Sequence, residues 1–165
     1  MTRTAPTGEQ ALRAARWLAL LLPAGLLGGA LISQYGFGLF PCEMCHWQRW
    51  PHYAALVPAL AAFAVPAGSA RRALIALAAL LIAVSGAIGV LHAGVEYGWW
   101  EGLTRCSSAT ASHTLDDIMA SPLIRCDVPQ WTLFGLSLAG YNAIFSLGGA
   151  GVIGALLRRS KGTGA

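Results

Sequence analysis

Residues 41–49 read PCEMCHWQR, a polar and charged stretch that lies between two long apolar runs. Its two cysteines, Cys42 and Cys45, are three positions apart, and Arg49 follows four positions later. If a helix begins near Pro41, these three side chains share one face of it. A helix N-terminus and a guanidinium both stabilise a thiolate, so the spacing predicts acidic, reactive thiols. A structural disulfide or half of a zinc site has the same spacing and stays open at this point.

The composition of the chain indicates a membrane protein. Of its 165 residues, 56% are hydrophobic and 11% are charged, whereas globular proteins carry about 25% charged residues. The net charge of +4 does not indicate a nucleic-acid partner, because the basic residues form no patch interleaved with aromatic residues. Four cysteines in two separated pairs fit an oxidising compartment or a redox role.

Four apolar segments are long enough to cross a lipid bilayer as helices, which takes about 20 residues. We therefore predict an all-α membrane protein, a four-transmembrane-helix bundle in a single domain over residues 1–165. The predicted spans are 15–34, 46–66, 72–93 and 131–157. The first span resembles a signal peptide, but it is longer than usual and lacks a clean A-x-A site, so we expect it to be uncleaved.

The basic residues orient these spans by the positive-inside rule. Eight of the eleven fall on one side: Arg3, Arg13, Arg16, Arg71, Arg72, Arg158, Arg159 and Lys161. The other side has Arg49, Arg105 and Arg125, and aromatic residues crowd that interface. We therefore predict cytoplasmic termini and two periplasmic loops, 35–45 and 94–130, which carry all four cysteines.

The second outward loop holds Cys106 and Cys126, which 19 residues separate. Residues 114–117 resemble a capping box, and apolar residues between 115 and 119 could form one stripe. This pattern predicts a short amphipathic helix on the outer membrane surface, with a solvated turn as the alternative.

His92 lies near the outer end of the third span, at the predicted depth of Arg49. A histidine in an apolar helix is usually a packed residue, but ionisable groups inside a membrane are costly and are candidates for function. Glu96 lies one turn further on and could pair with it. Two cysteine pairs, a basic side chain and a histidine together suit electron transfer from an aqueous dithiol to a lipid-soluble acceptor.

These motifs resemble the bacterial disulfide-bond formation protein B family, DsbB, from about residue 15 to residue 157. The matching residues are the stretch 41–49, His92-Ala93-Gly94-Val95-Glu96, Cys106, and Cys126-Asp127 with Trp131. DsbB belongs to the DsbA–DsbB–quinone system that keeps the bacterial periplasm oxidising. The resemblance implies an inner-membrane thiol:quinone oxidoreductase that reoxidises DsbA, a periplasmic thioredoxin-fold protein.

The resemblance also implies a role for each cysteine and for the cofactor site. Cys106 is attacked by reduced DsbA, and the released Cys126 then attacks Cys42. Cys45 is left as a thiolate that faces bound ubiquinone or menaquinone. Arg49 stabilises that thiolate and the quinone oxygen. His92 helps to bind the quinone or supplies protons during its reduction.

Three other classes of protein remain as alternatives. A membrane oxidoreductase like vitamin K epoxide reductase uses similar cysteine pairs on four helices, although Gln48, Arg49 and the cysteine order favour DsbB. The four cysteines also match the ligand count of a zinc site. We expect no metal there, because an outward, oxidising location disfavours thiolate zinc. A haem protein has only His92 as an axial ligand within a span.

Overall fold

The computed structural model describes residues 7–102, 107–108 and 123–160, which form four long helices with two short β-ladders. The helices are α1 (Gly8–Phe37), α2 (Glu43–Ala64), α3 (Ser69–Glu96) and α4 (Leu138–Arg159). The strands are β1 (Ser107–Ser108), β2 (Leu123–Ile124), β3 (Thr132–Leu133) and β4 (Leu136–Ser137). β1 pairs with β2, and β3 pairs with β4, both antiparallel. The amphipathic helix predicted near residues 114–119 lies outside the described residues, and so does Cys106.

Local sequence determines where the first helix begins and ends and where the last helix begins. Thr7 and Gln10 form a capping box at the start of α1, in which each side chain bonds the backbone N–H of the other. Gly38 ends this helix in the left-handed conformation, with a φ of 68°. Ser137 begins α4, because its hydroxyl accepts a hydrogen bond from the Gly140 N–H at 3.1 Å.

Small side chains let the helices approach one another closely. α3 packs against α2 and α4, and α1 completes the bundle by packing against the same two helices. In the main core cluster the fully buried residues are alanine and isoleucine: Ala15, Ala19, Ala55, Ala59, Ala62, Ile75, Ala78, Ile82 and Ile153. A Cβ added at Gly86 of α3 would come within 2.8 Å of the Leu147 side chain on α4. Such close contact suits helices in lipid, where packing drives association.

Three of the described helices, α1, α3 and α4, are long and apolar enough to cross a membrane. α2 has 22 residues, but its first turns carry the charged and polar part of the 41–49 stretch. Its uninterrupted apolar portion is therefore shorter. The chain is an all-α, multi-pass membrane protein, as its composition predicted.

α4 begins at Leu138, whereas the predicted fourth span begins at residue 131. The intervening residues form the β3–β4 hairpin, whose turn residues Phe134 and Gly135 have positive φ values of 51° and 78°. The hydroxyl of Tyr97 donates a hydrogen bond to the Gly135 carbonyl oxygen at 3.1 Å. This bond attaches the hairpin to the end of α3.

The two ends of the bundle differ in the residues they carry. At the basic end, Arg71 donates to the Val65 carbonyl oxygen and Arg72 to the Leu157 carbonyl oxygen, both at 2.5 Å. These arginines therefore cap the C-terminal ends of α2 and α4. The opposite end, called here the cysteine end, carries the start of α2, the β3–β4 hairpin and the end of α3.

Candidate active site

Cys42 and Cys45 lie at the first turn of α2, as the predicted helix start near Pro41 required. Cys42 is the N-cap residue, and its sulfur accepts a hydrogen bond from the Cys45 backbone N–H at 3.3 Å. The Cys42 thiol donates to the Cys45 sulfur at 3.0 Å. Cys42 is 3% exposed, whereas Cys45 is partly exposed. The pair is therefore asymmetric, because Cys42 is buried and Cys45 keeps some exposure.

This contact drives the acidities of the two thiols apart. The hydrogen bond to Cys45, together with burial, raises the pKa of the Cys42 thiol to about 12. The same hydrogen bond lowers the pKa of Cys45, against the effect of burial, and the positive charge of Arg49 acts in the same direction. In the reduced pair, Cys45 is therefore the more acidic thiol and Cys42 the one that keeps its proton longer.

Arg49 lies one helical turn beyond Cys45, where α1 holds its side chain. One guanidinium nitrogen, Nη1, donates to Gln34 Oε1 at 2.5 Å, and Nη2 donates to the Ala30 carbonyl oxygen at 3.3 Å. These two bonds fix the planar fork between α1 and α2. The guanidinium lines the same cavity as Cys45, near enough for its charge to act on that sulfur.

His92 comes from α3 and lies directly behind the cysteine pair. It is 2% exposed, and its Nε2 is 3.5 Å from the Cys42 sulfur. Its Nδ1 accepts a hydrogen bond from Gln48 Nε2 at 2.7 Å. The predicted pairing with Glu96 is present, with Glu96 Oε1 3.7 Å from His92 Nε2. His92 therefore contacts the Cys42 sulfur and also the Glu96 carboxyl group, which lies one turn further along α3.

Cys126 packs into the same region from the outer loop. It is 7% exposed and belongs to an apolar cluster with Cys42, Met44, Val95 and Ile124. The sulfurs of Cys126 and Cys42 and a ring nitrogen of His92 all lie within 4.8 Å of one another. The fold thus brings one cysteine of each predicted pair close together. The same three atoms are also a possible ligand set for a thiophilic metal ion.

A cavity of about 260 Å³ opens beside the cysteine pair. Its polar lining includes Cys45, Arg49 and His92, the three residues predicted to bind a cofactor. Its apolar lining comes mainly from α1, the α1–α2 connection and α4: Leu26, Leu27, Ala30, Leu39, Phe40 and Leu138. An apolar cavity with a few polar groups at one side suits a hydrophobic ligand with polar atoms.

Three polar residues of this region, Gln48, His52 and Asn142, had no predicted role in the site, although Gln48 belongs to the motif that the family resemblance rests on. All three line the cavity, and hydrogen bonds join them. The spacing offered a partial signal, because Gln48 and His52 lie three and seven residues after Cys45 on one helix face. Asn142 is a polar residue within the last apolar run.

Comparison with known proteins identifies the family. The family model for disulfide bond formation protein DsbB matches residues 12–156. Disulfide bond formation protein B from Chromohalobacter salexigens is 33% identical over 143 residues, which cover 73% of this chain and 81% of that protein. Disulfide bond formation protein B 1 from Pseudomonas putida is 33% identical over 143 residues, with 80% and 83% covered. No solved structure matches the chain.

These matches cover most of the chain, including the cysteine motif of α2, and they confirm the resemblance drawn from the motifs. The helical, membrane-spanning fold and the paired cysteines at one end of the bundle agree with them. The chain belongs to the DsbB family of disulfide-forming membrane oxidoreductases.

Proposed function

We propose that this protein is an inner-membrane thiol:quinone oxidoreductase. It reoxidises a periplasmic thioredoxin-fold oxidase of the DsbA type and passes the electrons to ubiquinone or menaquinone. The observation that carries the proposal is the cavity that Cys45, Arg49 and His92 line together, beside the close approach of Cys42 and Cys126. One arrangement can thus receive electrons from another thiol protein and deliver them into an apolar site.

The proposed topology keeps the four predicted spans, the last of them helical only from Leu138, with both termini cytoplasmic. In support, α2 packs between α1 and α3 in the bundle, although polar residues occupy its first turns. The basic end carries Arg71 and Arg72, as a cytoplasmic face should. Large aromatic side chains near the cysteine end are exposed, as in an interfacial belt: Tyr35, Phe37, Trp50, Trp99 and Trp100. The cysteines then lie in periplasmic loops.

The proposed relay uses the outer-loop pair, Cys106 and Cys126, first. A thiolate of the reduced partner attacks Cys106, breaks the Cys106–Cys126 disulfide and releases Cys126 as a thiolate. Cys126 then attacks Cys42, which breaks the Cys42–Cys45 disulfide and leaves Cys45 as the thiolate. Support for this second step comes from the proximity of the Cys126 and Cys42 sulfurs. The lowered pKa of Cys45 suits its role as leaving group.

The residues of the cavity fit a quinone. Its walls are largely apolar, and Arg49 offers guanidinium donors to a quinone oxygen. The buried Nδ1 of His52, which has no hydrogen-bond partner among the described residues, offers an acceptor to a quinol hydroxyl. A bound quinone supplies an acceptor for two electrons and two protons. Cys45 holds the negative charge at the mouth of the site, and Arg49 stabilises that charge. Because Nδ1 of His92 accepts from Gln48, its Nε2 carries the ring hydrogen and donates a hydrogen bond to the Cys42 sulfur, which stabilises that sulfur as it loses its proton.

A metal site is the competing candidate, because Cys42, His92 and Cys126 offer three ligand atoms within 4.8 Å. Metal analysis and quinone extraction on one preparation separate the two. Stoichiometric zinc without quinone would favour the metal site.

The test of the proposal is coupled turnover. Purified protein is mixed with a reduced DsbA-type oxidase and ubiquinone-1, while quinone absorbance and partner thiols are followed together. We expect sustained quinone reduction by the wild-type protein and none by Cys45→Ser. If Cys45→Ser reduces quinone at the wild-type rate, or the partner is oxidised equally well without quinone, the proposal is wrong.

A further inference from the structure

A chain of buried polar side chains runs from the cysteine pair into the middle of the bundle. Gln48 Nε2 donates to His92 Nδ1 at 2.7 Å, and Gln48 Oε1 accepts from Asn142 Nδ2 at 2.8 Å. Asn142 Oδ1 accepts from His52 Nε2 and from the Ser146 hydroxyl, both at 2.9 Å. The network ends at His52, which the proposed electron path does not use.

The backbone fixes the direction of these hydrogen bonds. Asn142 Nδ2 also donates to the Ser85 carbonyl oxygen at 3.2 Å, and a carbonyl oxygen can only accept. Asn142 must therefore turn its amide nitrogen toward Ser85 and its Oδ1 toward His52. Because Oδ1 also only accepts, Nε2 of His52 carries the hydrogen, and Nδ1 of the neutral ring carries a lone pair.

The lone pair on Nδ1 of His52 is buried and accepts no hydrogen bond from the described residues. His52 is 3% exposed, and its Nδ1 has no hydrogen-bond partner within the part of the chain that the structure describes. His52 lines the same cavity as Cys45, about 10 Å further along the axis of α2 at the usual rise per residue. Buried polar atoms are normally paired, so the ligand that fills the cavity is the natural source of the missing donor.

We propose that His52 is a second polar contact for the reduced ligand, the quinol, at the end of the cavity remote from Cys45, and that Asn142 is the positioning residue that presents Nδ1 to it. The inference rests on the proposed function, because it takes a quinone as the occupant of the cavity. It adds a residue from the middle of α2 to a site otherwise built at the cysteine end.

The fixed tautomer gives His52 a preference between the two redox forms of the ligand. Quinone oxygens only accept hydrogen bonds, whereas quinol hydroxyls donate them, so Nδ1 of the neutral ring pairs with the quinol. This pairing favours reduction of the quinone to the quinol. In that reaction two electrons and two protons pass from Cys42 and Cys45 to the quinone, and the two cysteines form a disulfide. One neutral hydrogen bond corresponds to a preference of about fivefold. For a two-electron couple, that raises the potential of the bound quinone by about 20 mV.

Two substitutions separate the roles of the two ring nitrogens. His52→Gln keeps an N–H donor near the position of Nε2 for Asn142 and removes the acceptor at Nδ1. His52→Asn keeps a polar atom near Nδ1 and gives up the bond to Asn142. The matched control is His46→Gln, because His46 is exposed on the same helix. Each full-length protein, oxidised beforehand, is titrated with ubiquinone-1 and with ubiquinol-1 in detergent, and binding is followed by tryptophan fluorescence.

We expect His52→Gln to bind ubiquinol-1 about fivefold more weakly than wild type, with a smaller change for ubiquinone-1. His46→Gln should match wild type for both ligands. If thermal melting shows that His52→Gln is unfolded, His52→Asn decides, and it should keep quinol affinity within about twofold of wild type. Unchanged quinol binding in folded His52→Gln, equal weakening of both ligands, or a larger loss in His52→Asn would overturn the inference. Failure of the wild-type protein to bind either ligand would instead refute the proposed function.

Discussion

Removing the Cys42 sulfur tests which neighbouring group makes the Cys45 thiol acidic. The hydrogen bond from Cys42, at 3.0 Å, is the largest cause of the lowered pKa of Cys45, and the charge of Arg49 is a smaller one. A hydrogen bond to a charged group contributes about 1.5–3 kcal/mol, and a thiol is a weak donor, so we take about 1.5 kcal/mol. Cys42→Ala should therefore reduce the acid dissociation constant of the Cys45 thiol roughly tenfold.

The assay is the pH dependence of alkylation. Cys106→Ser and Cys126→Ser form the background, so that only the Cys42–Cys45 pair remains, and mass spectrometry identifies the residue modified by iodoacetamide. Because Cys45 has a lowered pKa, it should react below the pH at which an ordinary thiol does. Cys42, with a pKa of about 12, should stay unmodified while Cys45 reacts. Cys42→Ala should move the Cys45 profile to higher pH.

Arg49→Met in the same background is the comparison, and its displacement of the profile should be smaller than that of Cys42→Ala. An unchanged pH profile in Cys42→Ala would show that the hydrogen bond from Cys42 does not lower the pKa of Cys45. A larger displacement in Arg49→Met would show that the guanidinium, and not the neighbouring thiol, is the main source of acidity.

Three further predictions follow from the same geometry. Arg49→His should slow steady-state quinone reduction at least tenfold, because about 1.5 kcal/mol or more of charge-assisted hydrogen bonding is lost, while a single oxidation of the partner persists. The rate of Arg49→Lys should lie between those of wild type and Arg49→His. Equal loss of both activities would indicate misfolding instead. Gly94→Ala should reduce the free energy of unfolding by about 1–3 kcal/mol, because the new Cβ overlaps the indole ring of Trp100, and the melting temperature should fall accordingly. Gly28→Ala, which meets nothing within 4 Å, is its control and should melt like wild type. Alkaline phosphatase fused after residue 110 should be active and after residue 69 inactive, and the reverse pattern would put the cysteines in the cytoplasm.

Much of the bundle could be predicted because its signals are local. Long uncharged runs identified the membrane helices, and PCEMCHWQR indicated a helix start with reactive thiols on one face. The β3–β4 hairpin gave no such signal. Its turn places Phe134 at a φ of 51°, a conformation that usually requires glycine or asparagine, so the apolar run was assigned to the last span from residue 131.

The interior of the site could be predicted only in part, because its contacts depend on how the helices rotate against one another. His52 and Asn142 are 90 residues apart, and their hydrogen bond forms only when α2 and α4 present these faces to each other. His92 was marked by its position within an apolar span. Its approach to the Cys42 sulfur, however, is a consequence of the packing of α3 against α2.

The central claim is that electrons leave the cysteines through the cavity to a quinone. The most direct measurement is an anaerobic titration of the fully reduced protein with ubiquinone-1, counting protein thiols and quinol in the same samples. The account predicts one quinol for every two thiols lost, because disulfide formation and quinone reduction are both two-electron reactions. Persistence of all thiols in excess quinone, or their loss without matching quinol, would contradict it.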